Sequence, residues 1–348
     1  MFDEYTVSRV FPRNRAAMAA VDRLLKQEGI TRDRNLDYTC AVYDRNDNMV
    51  ATGSCFGSTL RCFAVDKSHQ GEGLLNKVVT HLTEVQFSRG NTHLFLCTKP
   101  SAAPLFADLG FYEIARVEGT LVFMENRRTG FSDYLARLAK HKTDGKSAAL
   151  VMNANPFTFG HQYVAEQAAG SCETLHLFVL SEDASLFPFP VRKQLVQEGT
   201  AHLGNVVLHD SGPYIISSAT FPSYFLKDAD AVAQAHGKLD LAVFAKIAEA
   251  LNISVRFVGE EPLSAVTAGY NRLMAQALPE SGVECRIIPR KALSSQPISA
   301  SSVRRAIQLG DWDTVSAMVP ASTLSWLRSP EATPVIEAIR KSSDVIHH

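Results

Sequence analysis

Two different patterns of apolar residues divide the chain. From residue 147 onward, short continuous apolar runs alternate with helix-periodic segments. The strand-like runs fall at 148–152, 174–180, 206–209, 255–258 and 285–288, and helical spacing fills 162–169, 191–202, 241–251 and 264–278. Strands that alternate with helices predict a parallel sheet with right-handed crossovers. The unbroken apolar character of the first two runs predicts strands covered on both faces. Residues 147–335 are therefore expected to form an α/β Rossmann-like domain with a parallel sheet, followed by a C-terminal tail at 336–348.

The first 125 residues read as α+β. A helical pattern at 15–27 precedes strand patterns at 38–43 and 49–55 around a polar turn at 44–48, and a third strand at 60–65. Gly71 and Gly73 then open a helix over 74–87, followed by a strand at 93–97, a short helix ending near Gly110, and a last strand at 120–124. The polar segment 126–146 is expected to be a linker.

Composition narrows the class without naming a function. The chain has 348 residues, 46% of them hydrophobic and 20% charged, with a formal net charge of −1. That length predicts two domains, and the near-neutral balance gives no general field for nucleic acid or an anionic membrane. No apolar run approaches the span of a bilayer, and the N-terminus has no signal-like apolar stretch, so a cytoplasmic protein is expected. The six cysteines form no Cys-x-x-Cys pair, and most sit in apolar runs, which predicts buried thiols rather than disulfides or a zinc site. The eleven histidines lack metal-ligand spacing, so no protein-held metal is expected.

Two short motifs carry candidate chemistry. The first is Thr158-Phe159-Gly160-His161, placed between the apolar run ending in Asn153-Ala154-Asn155-Pro156 and a helical pattern. A helix N-terminus at the carboxyl end of a strand presents unpaired amides and a favourable dipole to an anion. Gly160 lets backbone approach a phosphate closely, while His161 and Thr158 offer donors to its oxygens. The second is Ile298-Ser299-Ala300-Ser301-Ser302-Val303-Arg304, which opens a helix over 303–309 that stops at Gly310. Here Ser301 is expected as the N-cap, with Arg304 one turn in and directed toward whatever the helix end binds.

These motifs resemble the Thr-x-Gly-His and Ile-Ser-Ser-Thr-x-x-Arg signatures of the nucleotidylyltransferase superfamily, with Ala300 in place of the second serine and Ser301 in place of the threonine. The first half resembles a GNAT-type acetyltransferase domain through Gln70-Gly71-Glu72-Gly73 and the segment 105–111 ending in Gly110-Phe111. In that family the Gly loop holds a coenzyme A pyrophosphate. This sequence departs from it at Leu75, where a small residue is usual, and at Phe106, where a tyrosine often acts as general acid. A phenyl ring donates no proton, so the expectation is an acetyltransferase-like domain without its catalysis, either receiving a coenzyme A-like group at Gln70, Gly71 and Gly73 or serving only as structure.

Taken whole, the chain resembles the citrate lyase ligases. The wording is close at 152–158, 177–185, 214–217, 219–227 and 257–262. The resemblance implies an acid–thiol ligase that joins a GNAT-like domain to a nucleotidylyltransferase domain. Acetate would attack the α-phosphate of ATP to give acetyl-adenylate and pyrophosphate. The thiol of the phosphoribosyl-dephospho-coenzyme A arm on the acyl-carrier subunit of citrate lyase would then take the acetyl group and release AMP. Thr158 and His161 would polarise the α-phosphate, and Ser299, Ser301 and Arg304 would hold the β- and γ-phosphates. Mg²⁺ would arrive with ATP. Phe157 belongs to the same ATP-binding segment.

Three further residues stay open between two roles. Lys227 offers charge to acetate or phosphate, or is a surface lysine. Arg192 stands near the nucleotide, or on a solvated helix face. Asn155 donates to phosphate, or shapes the turn before Pro156. A plain adenylyltransferase acting on a phosphopantetheine-like substrate, and a nucleotide or coenzyme A sensor without catalysis, are the competing functions. The first breaks the same phosphate bond with a different nucleophile; the second binds ATP without releasing pyrophosphate.

Overall fold

The computed structural model describes residues 4–181, 185–215, 221, 229–260, 265–293 and 296–342. Two compact units are present, Met1–Asp133 with Phe221–Ala242, and Tyr134–Thr220 with Val243–His348.

The first unit is α+β. Its elements run β1 (Thr6–Val10), α1 (Arg15–Gln27), β2 (Tyr38–Tyr43), β3 (Met49–Phe56), β4 (Thr59–Val65), α2 (Leu74–Ser88), β5 (Phe95–Thr98), α3 (Ala103–Asp108), β6 (Tyr112–Val117) and β7 (Leu121–Glu125). The strands form one seven-stranded sheet in the order β1-β2-β3-β4-β5-β7-β6. Helices cover both faces: Met18, Val21, Leu24 and Leu25 of α1 pack with Ala41 and Cys62, whereas Leu74, Val78, Val79 and Leu82 of α2 pack with Cys40 and Val42. Neighbouring residues of β2 thus face opposite cores, as strand alternation requires. Gly53 on β3 lets α2 close in, because a Cβ there would lie 2.4 Å from Val78 Cγ1. Every neighbouring pair is antiparallel except β4 and β5, which run parallel and share only the pairs Thr59–Phe95 and Leu60–Leu96. Beyond those pairs the two strands part.

The strands β1 and β6 were not evident in the pattern. Both lie at sheet edges; β1 buries only Val10, and β6 buries Ile114, Ala115 and Val117, so neither shows the strict alternation of a half-buried strand.

The expected linker contains α4 (Gly130–Ala139). Glu125, at the end of β7, accepts from the Phe131 backbone N–H at 2.7 Å and so satisfies one donor of its first turn.

The second unit is α/β. It comprises β8 (Ser147–Met152), α5 (Phe159–Ala169), β9 (Thr174–Val179), α6 (Phe189–Gly199), β10 (Val206–Asp210), α7 (Ala229–Leu251, which begins in the first unit's share of the chain), β11 (Ile253–Gly259), α8 (Ala265–Ala277) and β12 (Glu284–Ile288). A short hairpin follows, β13 (Ala292–Leu293) and β14 (Gln296–Pro297), and then α9 (Ala300–Leu309), α10 (Trp312–Met318), α11 (Ala321–Leu327) and α12 (Thr333–Lys341). The five long strands are all parallel in the order β10-β9-β8-β11-β12. The chain winds outward from central β8 to β10, then returns to β11 on the other side. Such a reversal leaves a crevice at the carboxyl ends of the middle strands, where open α/β sheets bind ligands.

Two boundaries differ from expectation. Helix α7 starts at Ala229 rather than 241, because its alanine-rich first half, interrupted by Gly237, has little amphipathic contrast. The region 336–348, expected as a tail, is helical through Lys341, and Val335 and Ile339 of α12 are buried in the core of the second unit. Among the described residues no helix is long and apolar enough to cross a membrane.

Candidate active site

The first motif lies where the parallel strands end. After β8 the chain turns through Ala154, whose φ of 52° is in the left-handed region, and a cis Asn155–Pro156 bond, and enters α5 with Thr158 as N-cap. The Thr158 hydroxyl accepts from the His161 backbone N–H at 3.4 Å, and the imidazole answers it: Nδ1 lies 3.2 Å from the Thr158 backbone N and 2.9 Å from its Oγ1. This is a capping box with histidine where glutamate is usual. Because the Thr158 N–H donates to Nδ1, the neutral ring carries its proton on Nε2. Burial, followed by the positive charge of Arg290, pushes the His161 pKa down to about 4. At neutral pH the side chain is therefore an uncharged Nε2–H donor.

Phe157 and Gly160 serve packing. The Phe157 ring is fully buried, stacks 5.8 Å from the His161 ring, and presses on α6 so closely that a Cβ at Gly199 would meet it at 2.3 Å. A Cβ at Gly160 would lie 2.7 Å from the Ile298 carbonyl oxygen. The glycine expected for close approach of a phosphate thus permits close approach of the second motif.

That motif opens α9, and here the cap is two residues earlier than expected. Ser299, not Ser301, is the N-cap, its Oγ accepting from the Ser302 N–H at 3.0 Å. Its hydroxyl also lies 2.9 Å from that of Ser301 and 2.7 Å from that of Ser302, so three hydroxyls gather at the helix start.

The two expected arginines have a different geometry from the one their positions suggested. Arg192 is fully buried on α6. Its Nε donates to the Phe187 carbonyl at 2.9 Å, and its Nη1 to the carbonyls of Asn153 and Leu180 at 2.9 and 2.7 Å. The solvated helix face is therefore excluded for it. Arg304, 2% exposed, does not point out of the helix start but donates through Nη1 to the Asn155 carbonyl at 2.5 Å. Guanidinium groups suit this work, since several fixed donors satisfy carbonyls that a tight turn leaves without partners. Asn155 itself is buried, and its Oδ1 accepts from the Phe187 N–H at 3.0 Å, the turn-shaping role. Lys227 lies outside the described residues.

Sequence reasoning missed Arg290 and Lys291, which follow β12. The Arg290 Nε donates to the Glu260 carbonyl at 2.7 Å, at the end of β11. The exposed Lys291 ammonium lies 5.5 Å from the Phe159 ring centre and 5.9 Å from that of Tyr163, both on α5. Its carbonyl accepts from Ile298 N–H at 3.0 Å. The signal was available: a Pro-Arg-Lys step at the carboxyl end of a predicted strand. Among the described residues no group of three or more His, Cys, Asp or Glu side chains is placed to hold a metal.

In the first unit, the parting of β4 from β5 opens a cleft of about 730 Å³. Gln70, Gly71 and Gly73 line one end of it, beside Leu75 at the start of α2, and Cys97, Lys99 and Phe106 are among the other lining residues. Gly71 and Gly73 have φ of 90° and 74°, conformations that favour glycine. Phe106 is 3% exposed and packs edge-on against Phe63 and Phe111.

An α+β unit with a Gly-loop cleft, and a parallel α/β unit in which two sequence motifs each open a helix, define a two-unit protein with a Rossmann-like second half. The model of the citrate lyase ligase C-terminal domain matches residues 147–327. The citrate (pro-3S)-lyase ligase of Klebsiella pneumoniae is 40% identical over 88% of this chain and 92% of its own length, and that of Escherichia coli is 36% identical over 94% and 95%. The chain belongs to the citrate lyase ligase family, which are acid–thiol ligases. Solved acetyltransferases match the first part of the chain. One is a GNAT-family acetyltransferase of Staphylococcus aureus, at 16% identity over 35% of this chain and 97% of that one, with a TM-score of 0.30. Another is the ribosomal-protein-S18-alanine N-acetyltransferase of Escherichia coli, at 19% over 35% and 92%, with a TM-score of 0.27.

Proposed function

We propose that the second unit activates acetate with ATP, and that the acetyl group then passes to the thiol of the phosphoribosyl-dephospho-coenzyme A arm on the acyl-carrier subunit of citrate lyase. A carboxylate oxygen of acetate attacks the α-phosphorus, the bond to the β-phosphate oxygen breaks, and pyrophosphate leaves with the electron pair. The thiolate then attacks the acetyl carbonyl, the bond to AMP breaks, and the thiol proton passes to solvent. The carboxylate is already an anion, so attack needs no general base; positioning and stabilisation of developing charge supply the rate.

The observation that carries this reading is the neutral His161, its proton fixed on Nε2 by the Thr158 N–H. It donates to an α-phosphate oxygen without exchanging a proton. The Ser299 and Ser301 hydroxyls at the start of α9 accommodate the β- and γ-phosphates, while Arg192 and Arg304 hold the turn that aims the histidine. The described residues offer Mg²⁺ no cage of their own, and no step is assigned to it beyond its arrival with ATP. The cleft lined by Gln70, Gly71 and Gly73 receives the carrier's coenzyme A-like arm, the loop amides at a helix start facing its pyrophosphate. The reaction is placed in the cytoplasm, where ATP is supplied.

The test is acetate-dependent exchange of labelled pyrophosphate into ATP, without carrier. Exchange that requires acetate and collapses in His161→Ala supports the reading. AMP transfer to phosphopantetheine with no such exchange would replace it with a plain adenylyltransferase.

A further inference from the structure

ATP and acetate are both anions, and their reaction gathers negative charge at one point. The groups first assigned to meet it do so with little mobile charge. His161 is neutral, the serines are uncharged, and the guanidinium groups of Arg192 and Arg304 are fixed by hydrogen bonds to the protein's own oxygens, those of Asn153, Leu180, Phe187 and Asn155. Among the described residues, two further cations stand at this end of the sheet, on the step after β12.

We propose that Lys291 is the residue that binds the β- and γ-phosphates of ATP and neutralises the departing pyrophosphate, with Arg290 as a fixed positive wall behind it. Three contacts support the placement. The Lys291 carbonyl accepts from the Ile298 N–H, one residue before Ser299, whose hydroxyl caps α9. The Ile298 carbonyl in turn lies against Gly160, in the first turn of α5. The Lys291 ammonium rests over Phe159 and Tyr163, which flank Gly160 and His161 on that helix. Lys291 is thereby tied to both helix starts. Ring faces hold an exposed ammonium weakly compared with charge-assisted hydrogen bonds from phosphate. A nucleotide arriving at α5 and α9 therefore draws the ammonium from the rings onto its outer phosphates. Arg290, anchored on the Glu260 carbonyl, stays in place.

This assignment rests on the ATP-site reading above, and the experiment separates the two. Full-length wild type, Lys291→Ala and Lys291→Arg are titrated with ATP and with AMP by calorimetry, and their thermal unfolding is compared. Lys291 is exposed, so both variants should unfold as wild type does. The expected result is ATP affinity lowered by about tenfold or more in Lys291→Ala, AMP affinity unchanged, and most ATP affinity kept in Lys291→Arg. A merely structural lysine would not distinguish ATP from AMP. Equal ATP affinity in wild type and Lys291→Ala, or equal losses for ATP and AMP, overturns the role of Lys291 and leaves the ATP site standing. A wild type that binds neither nucleotide overturns both.

Discussion

The Arg304 guanidinium reaches from α9 to the main-chain carbonyl of Asn155, joining residues 149 apart in sequence. Asn155 belongs to the turn that delivers Thr158 and His161, so the second motif holds the first in shape. Replacing Arg304 by Met should leave that buried carbonyl without its charged donor. We expect a loss of about 3 kcal/mol in stability, read by urea unfolding, with pyrophosphate exchange falling alongside. Arg304→Lys should not restore either. An unchanged unfolding midpoint would mean the tie is dispensable.

Gly160 makes a sharper prediction, because its constraint is a contact rather than a conformation. In Gly160→Ala the new methyl meets the Ile298 carbonyl oxygen at 2.7 Å unless one helix start shifts. A cost of about 1–3 kcal/mol follows from such overpacking, together with loss of exchange activity. A variant with wild-type melting and wild-type exchange would show that the two motifs do not depend on this approach.

The protonation state of His161 is open to a direct measurement. With its folded pKa near 4, the ring stays neutral through the range in which a free histidine, near 6.5, titrates. Exchange activity should show no inflection near pH 6.5 assignable to His161, and its ring resonances should not shift between pH 8 and 5. As the unfolded chain takes up a proton first, this group withdraws stability as pH falls below about 6.5, and the loss is complete below about 4. A titration midpoint near 6.5 in the folded chain would contradict the neutral Nε2–H donor.

A second histidine pair makes the α/β unit acid-sensitive away from the site. His176 on β9 and His209 on β10 lie 3.0 Å apart through Nδ1 and Nε2, both buried. Burial first, then neighbouring histidine charge (His141 for His176, and His176 and His141 for His209), pushes their pKa values down to about 4 and about 3. Both folded values lie below the unfolded one, so stability is lost from about pH 6.5 downward, on the order of several kcal/mol by pH 3–4. Urea unfolding across pH should show this slope, and His209→Phe should flatten it. An unchanged slope in that variant would place the acid sensitivity elsewhere.

The N-terminal cleft carries its own prediction. Gly73→Val places a β-branched residue at φ 74° where the loop meets α2. The KM for the thiol-form carrier should rise several-fold, whereas pyrophosphate exchange without carrier reads the other unit. With Phe106 in the general-acid position, the chain should also transfer no acetyl group from acetyl-coenzyme A to an amine. Carrier kinetics indifferent to Gly73→Val would leave the cleft structural.

The parallel half of the fold was legible because the runs 148–152 and 174–180 are largely apolar and alternate with helical segments, and α5 and α9 each start at a motif. What was not legible depended on tertiary context. The edge strands β1 and β6 bury residues without the strict alternation that marks a half-buried strand. Arg192 and Arg304 look in sequence like ligand cations, and only the path of the backbone shows the carbonyls they satisfy. Gly160 is expected from the motif to make room for a phosphate, whereas the atom that excludes a side chain there is the Ile298 carbonyl oxygen. Conversely, Arg290 and Lys291 carry no motif of their own, and only the fold sets Lys291 beside Phe159 and Tyr163 of α5.

The strand order has a further consequence for how the chain comes into being. The β8 turn is made early in the second unit, but its partner at Ser299 follows β12, the last strand of the sheet. During synthesis the histidine is in hand long before the carbonyl and the guanidinium that hold it in place. A growing chain released before residue 299 should therefore lack both contacts, and the turn that carries Thr158 and His161 reaches its final form only after α9 has been made.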